Sequence, residues 1–305
     1  MVVYYLYQTI FSDPKSFADF TLIVDNIFKT SNKWPIIVLI LLVPVNWAFE
    51  SLKWQVLVQR VTPISFLESN KGILSGLAVG VAVPAQLGDT IGRVAALKTS
   101  NRLEAIGASI VSNGIQFYIS VLVGIAGWHY WHKQLALSEK TEFWMEMSFG
   151  ILVTLGLTLF LCRHYLLLWK PKKSIGIKIR SYFKVIAYYN AKELILATTY
   201  GILRYTVFIV QYILIFSLLS YTLDPLTLAA SVSLILLAKT VIPAVNAIGD
   251  LGLRGFTAIF VLSPFHLPAE EIIAATFIIW IINIVCPILI GIVLIWKTKL
   301  KLKYD

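Results

Sequence analysis

Two short stretches of this 305-residue chain carry the same polar residues in the same order. The first reads Pro84-Ala85-Gln86-Leu87-Gly88-Asp89-Thr90-Ile91-Gly92-Arg93. The second reads Pro243-Ala244-Val245-Asn246-Ala247-Ile248-Gly249-Asp250-Leu251-Gly252-Leu253-Arg254. Each has Pro-Ala, then Gly-Asp, then an arginine four residues after the aspartate. Residues four apart share a helix face, so Asp89 meets Arg93 and Asp250 meets Arg254. A helix starting near Gly88, or its counterpart Gly249, sets the aspartate beside free backbone N–H groups that favour negative charge. The arginine fork matches phosphate geometry. Two readings follow: an internal cap and ion pair that pins the segment, or a site where Arg93 and Arg254 meet a phosphate and the aspartates orient them.

Other polar residues interrupt apolar runs. Charged groups inside a bilayer cost about 2.5–3.5 kcal/mol each on insertion scales, so they face protein or water and usually pair. Arg204 lies mid-run, with Tyr200 four residues back and Gln211 seven on along one helical face. Lys239 and Thr240 precede the second motif, and Lys239 either snorkels or joins the polar site. Asn46, Glu50 and Lys53 form an i, i+4, i+7 stripe in which Glu50 can pair with Lys53. Asn283, like Asn113 and Gln116, suits hydrogen bonding between helices. Signals for catalysis are scarce. His129 and His132 lack a third ligand, and there is no phosphate-binding glycine loop, HExxH or Gly-x-Ser-x-Gly elbow. No catalytic residue, metal or cofactor is expected, although a membrane transferase could use Asp89 or Asp250 as a base.

The elements that must position these residues are membrane spans. The chain is 58% hydrophobic and 14% charged, against about 25% charged for a soluble domain, which leaves an all-α polytopic membrane protein. The net charge of +10 does not point to nucleic acid, because the basic residues sit between apolar segments. A span needs about 20 apolar residues. Candidates run over 34–52, 105–127, 147–168, 194–219 and 272–296, with a shorter one over 226–242. Residues 73–83 are too short to cross alone. Residues 16–33 are amphipathic, and 1–12 are apolar, too short to span and without the marks of a signal peptide. Cys162 and Cys286 lie in apolar runs and read as buried thiols. Trp34, Trp54, Trp128, Trp131, Trp144, Trp169 and Trp296 fall at segment ends, as in an aromatic belt.

Each motif follows an apolar segment that is short or abruptly broken. Matched interruptions at Pro84, Gly88 and Gly92 and at Pro243, Gly249 and Gly252 point to an internal repeat with its site at the breaks. If both broken segments dip in and return, 17 basic residues fall on one side and five on the other. That bias places the first side, with the C-terminus, in the cytoplasm. The motifs then enter from opposite faces, as inverted re-entrant helices meeting near the midplane of a helical bundle. The organisation is an N-terminal apolar and interfacial segment, 1–33, and one transmembrane domain, 34–305. The latter divides into a first half, 34–168, a basic interfacial segment, 169–193, a second half, 194–297, and a basic tail, 298–305. The interfacial segment suits anionic lipid.

At these motifs the sequence resembles the lysylphosphatidylglycerol synthase transmembrane family, also called flippase-like. The matching signals are Asn46-Trp47, Glu50 and Lys53-Trp54, the first motif, Arg204-Tyr205 and Gln211, Lys239-Thr240-Val241-Ile242-Pro243, Gly249-Asp250-Leu251-Gly252-Leu253-Arg254-Gly255, and Trp280-Ile281-Ile282-Asn283. Members often carry Glu in place of Asp89 and Asp250, and Glu in place of Gly255. The resemblance implies a bacterial inner-membrane protein that binds or translocates a phospholipid, aminoacyl-lipid or glycosyl-lipid through a polar intramembrane cavity. Arg93, Arg204 and Arg254 would meet the phosphate of an anionic headgroup. Lysyl transfer is not expected from a chain ending at Asp305. The alternatives are a transferase acting on a polyprenyl-phosphate or phospholipid, and a scaffold for a partner enzyme in the membrane. Oligomeric state stays open.

Overall fold

The computed structural model describes residues 14–81, 85–134, 137–168, 170, 174–219, 223–242 and 247–304. The apolar stretch 1–12, Pro84, Trp169 and Pro243 lie outside the described residues. Among those described, all regular structure is helical. The helices are α1 (Pro14–Lys29), α2 (Trp34–Val58), α3 (Phe66–Val79), α4 (Ala85–Ala95), α5 (Arg102–Trp131) and α6 (Glu139–Leu161). They continue with α7 (Ser174–Tyr188), α8 (Ala191–Phe216), α9 (Pro225–Val241), α10 (Ala247–Leu262), α11 (Ala269–Trp280) and α12 (Cys286–Tyr304). Five helical runs among the described residues are long and apolar enough to cross a membrane: α2, α5, α6 with its extension to His164, α8, and Ala269–Lys297. The chain is an all-helical, multi-pass membrane protein.

Local chemistry sets several boundaries. Ser65 caps α3: its hydroxyl accepts the Glu68 N–H at 3.3 Å, and the Glu68 carboxylate accepts the Ser65 N–H at 2.8 Å. Asp224 caps α9 by accepting from the N–H groups of Leu226 and Thr227, with Pro225 at the first helical position. Between α11 and α12, residues Ile281–Val285 form a π-helical turn, and Cys286 N–H donates to Ile281 O. Pro287 explains the widening. It has no N–H to donate, and its ring crowds the carbonyl four residues back.

The chain divides into two compact units. The Asp89 unit comprises residues 46–119, 143–205 and 287–305. The Asp250 unit comprises residues 1–45, 120–142 and 206–286. Each holds one copy of the repeated motif.

Within the Asp89 unit, α3 and α4 form a tight antiparallel pair. A Cβ on Gly88 would lie 2.3 Å from Gly80 Cα, and one on Gly92 would lie 2.5 Å from Gly76 Cα. A Cβ on Gly72 would lie 3.8 Å from Ala96 Cβ. Small residues thus face small residues along the whole contact, and the two backbones touch. Farther along the unit, α7 is fixed through Val185 and through Tyr189 just beyond its end, which pack with Leu57 and Ala197. The Tyr189 hydroxyl donates to Leu57 O at 2.8 Å, while Ile177 and Tyr188 stay exposed. Within the Asp250 unit, α9 packs on α10 and α10 on α11. The amphipathic α1 rests on α11, where the Phe20 ring meets Phe277 edge-on at 5.8 Å.

Three expectations need correction. Cys162 and Cys286 are exposed, not buried. An apolar run in a membrane protein faces lipid as readily as core. Trp54, Trp128 and Trp131 are buried at 0%, 5% and 1% exposure, so they are packing residues and not belt residues. Trp34, Trp144 and Trp296 are exposed at segment ends, as a belt requires. Finally, α4 begins at Ala85, which puts Asp89 beyond its first turn, whereas Asp250 does lie in the first turn of α10. The helix-end argument therefore applies to one aspartate of the two.

Candidate polar site in each unit

The polar stripe of α2 is the centre of the Asp89 unit. Glu50 is 1% exposed, and three cations share its carboxylate. Arg93 Nη1 donates to Oε1 at 2.8 Å. Lys53 Nζ and Arg204 Nη1 each lie 2.8 Å from Oε2. Arg93 also donates from Nε to Asp89 Oδ1 at 2.8 Å, so the i, i+4 pair forms as its spacing requires. Arg204 donates from Nε to Asn46 Oδ1 at 3.0 Å. Lys53 donates to Gln116 Oε1 at 3.2 Å. Aromatic faces complete the enclosure. The Arg93 guanidinium lies 5.8 Å from the Trp54 ring centre, and Arg204 lies 5.0 Å from that of Trp47.

The glycine contacts explain why Arg93 reaches Glu50. A Cβ on Gly76 would lie 2.7 Å from Asp89 O and 3.2 Å from Arg93 Cγ. Only a bare backbone on α3 lets α4 lie this close with its charged face intact. α3 is itself tied to α2, because Ser69 Oγ donates to Ser51 O at 2.5 Å and Asn70 Nδ2 donates to Ser51 Oγ at 3.1 Å. On the other flank, Thr90 shares a 3.1 Å hydrogen bond with Ser109 of α5.

The Asp250 unit repeats the ion pair with different surroundings. Arg254 donates from Nε to Asp250 Oδ2 at 2.8 Å, and Lys239 Nζ lies 3.7 Å from Asp250 Oδ1. Arg254 is 1% exposed, with the Tyr212 side chain against it and Thr276 against Tyr212. Nearby on the chain, the π-helical turn aims Asn283 inward. Its Nδ2 donates to Gln211 Oε1 at 3.0 Å, and Gln211 Nε2 donates to Leu39 O at 3.3 Å.

The structure thus unites Asn46, Glu50, Asp89, Arg93 and Arg204 in one unit. In the other it brings Lys239 to Asp250 and Arg254, and Gln211 to Asn283. Gln211 and Arg204 share α8 and are assigned to different units. Gly88 and Gly92 stand inside α4 at its contact with α3. Gly249 lies in the first turn of α10, and Gly252 is buried within it. Lys53, which is one of the 17 basic residues assigned to the cytoplasmic side as well as a member of the α2 stripe, is 0% exposed and belongs to the ion network. Sequence reasoning missed Tyr212 and Thr276, and it gave Glu50 one partner where it has three. Among the described residues no cluster of three or more His, Cys, Asp or Glu could hold a metal ion.

The family model described as the lysylphosphatidylglycerol synthase TM region matches residues 17–291, nearly the whole chain. No curated protein matches it, and no solved structure does.

Proposed function

Because this chain belongs to the lysylphosphatidylglycerol synthase transmembrane family, we propose that it binds a lipid headgroup and moves it between leaflets. The observation that carries this reading is the network around Glu50. Five charged side chains on three helices converge, and two of those helices, α2 and α8, are long and apolar enough to cross a membrane, where such charges would be costly in lipid. Ion pairing offsets that cost but does not explain why the groups are there, since a packed apolar core would stabilise as well or better. A polar intramembrane path for a headgroup does explain it. In this reading Arg204 in the Asp89 unit and Lys239 in the Asp250 unit, each the most exposed cation of its own cluster, are the groups that a phosphate meets in that unit. Arg93 and Arg254 are more deeply buried; they hold the aspartates in place and reach a headgroup only when the path opens.

The same reading sets α3–α4 and α9–α10 as re-entrant hairpins entering from opposite faces of a bacterial inner membrane, with the C-terminus in the cytoplasm. Fluorescently labelled phospholipids in liposomes carrying the purified protein test it. An impermeant quencher should reach inner-leaflet label faster than in empty liposomes. Asp89→Asn and Arg254→Ala should slow that exposure while the protein stays folded. No acceleration with any headgroup would remove lipid translocation as the function.

A further inference from the structure

We infer that α7 is a membrane-surface site that binds anionic phospholipid headgroups. It takes no residue from the Glu50 network and stands independently of the lipid-handling reading. Residues 170–192 carry seven lysines and arginines and no acidic residue. α7 has 15 residues, about 22 Å of helix, too short to cross a hydrocarbon core of about 30 Å. It lies between two runs that are long and apolar enough to cross, Glu139–His164 and Ala191–Phe216. Only Tyr189 and Asn190 separate it from the second. So short a link keeps the C-terminal end of α7 at the level where α8 meets the membrane boundary.

Contacts within the Asp89 unit fix which side of α7 faces inward. Val185 and Tyr189 pack with Leu57 of α2 and Ala197 of α8. A Cβ on Gly107 would collide with Tyr182 O, so the backbones of α5 and α7 touch there. Ile177, Lys184 and Tyr188, at spacings of seven and four, share a different face. Ile177 and Tyr188 are 53% and 51% exposed, and Lys184 Nζ lies 5.8 Å from the Tyr188 ring centre. The Lys184 side chain is 42% exposed, and its ion pair with Glu104 is 3.9 Å long. An exposed pair of that kind contributes little, so an anionic headgroup competes readily for Lys184.

Apolar bodies and a cation in one exposed stripe fit the boundary between acyl chains and headgroups, where amphipathic helices lie. Each lysine or arginine near an anionic surface adds to the attraction. Because α7 is bedded on α2, α5 and α8, its charge keeps a fixed place on the folded protein. A basic loop that only orients spans during insertion needs no such seat.

Full-length protein in detergent micelles containing phosphatidylcholine is titrated with phosphatidylglycerol while its melting temperature is followed. The melting temperature should rise, and the rise should largely vanish in about 1 M salt, where the screening length is about 3 Å. Lys170 and Lys184 are both accessible. Lys170→Gln/Lys184→Gln should need about 25-fold more phosphatidylglycerol for the same rise, about fivefold for each cation. Lys170→Arg/Lys184→Arg should respond like the parent protein. Glu104→Gln removes the carboxylate that competes for Lys184 and should lower the phosphatidylglycerol required by about twofold. Lys299→Gln/Lys301→Gln/Lys303→Gln, in the C-terminal tail, should leave the response unchanged. An equal loss in the tail variant assigns the effect to net charge and overturns the inference. An unchanged response in Lys170→Gln/Lys184→Gln, or a weaker one in Glu104→Gln, places the binding elsewhere and also overturns it. So does a parent protein that ignores phosphatidylglycerol, or a rise that inorganic phosphate reproduces at equal concentration.

Discussion

Glu50 is a single carboxylate holding three cations, and the consequences of losing it can be ranked. Glu50→Gln keeps the shape and removes the charge, leaving Lys53 and Arg93 buried without their shared anion. Removing one partner of a buried ion pair costs about 3–5 kcal/mol, because the other charge stays buried. We expect Glu50→Gln to lower unfolding free energy in detergent by about that amount, with Arg204→Gln costing less because Arg204 is partly exposed. Equal melting of Glu50→Gln and the parent protein would mean that the network holds no helices together. The residues of this network were legible one by one, since each is a charged or amide group in an apolar run. Their convergence was not. The i, i+4 pairs at Asp89–Arg93 and Asp250–Arg254 follow from helix geometry, whereas Arg204 reaches Glu50 across 154 positions of sequence, a contact that only packing sets. The same limit applies to Trp54. Its place near a segment end suggested the interface, but a tryptophan there serves equally well to enclose a buried guanidinium.

At the scale of elements, the α3–α4 pair depends on backbone contact, so its tolerance to a single methyl group should differ sharply by position. Gly88→Ala and Gly92→Ala place Cβ at 2.3 and 2.5 Å from glycine backbone, which cannot yield without moving a helix. Overpacking of this kind typically costs about 1–3 kcal/mol. Gly72→Ala meets its neighbours at 3.8 Å, ordinary contact, and should melt like the parent protein. Comparable melting of all three alanine variants would show that the helices separate freely. The start of α3 carries a pH dependence of its own. The Glu68 carboxylate accepts the Ser65 backbone N–H and then the Ser65 hydroxyl, and these bonds hold its pKa below the ordinary carboxylate value. A lowered folded pKa means that the cap contributes fully above the unfolded pKa and is lost as pH falls through the folded one. Amide exchange over residues 66–69, corrected for intrinsic rates, should lose protection in that acidic window, and Glu68→Gln should abolish the pH dependence. Protection that follows the same curve in Glu68→Gln would assign the effect to other groups. The Ser65 and Glu68 spacing could have been read as a capping box, but no apolar period distinguishes α3 from a broken span.

At the scale of the whole molecule, the two motifs make a claim about topology. Removing Lys53 from the loop charges leaves 16 basic residues on the proposed cytoplasmic side against five opposite, so burying it does not change the sign of the bias. With α2, α5, α6 and α8 each crossing once and both hairpins returning, Asn32 and Ser138 fall outside while Lys192 falls in the cytoplasm. All three are exposed. Single cysteines at these positions, in a background of Cys162→Ser and Cys286→Ser, allow a direct test with an impermeant thiol reagent on intact spheroplasts. Asn32→Cys and Ser138→Cys should label before lysis, and Lys192→Cys only after it. If α3 with α4 formed one kinked span instead, every later crossing would reverse. Ser138→Cys would then fall on the side opposite Asn32→Cys, and Lys192→Cys would label from outside. That outcome would remove the inverted relation between the motifs. The repeated Gly-Asp and Arg residues would then reflect two similar ion pairs in parallel segments, and the case for a headgroup path would rest on the Glu50 network alone.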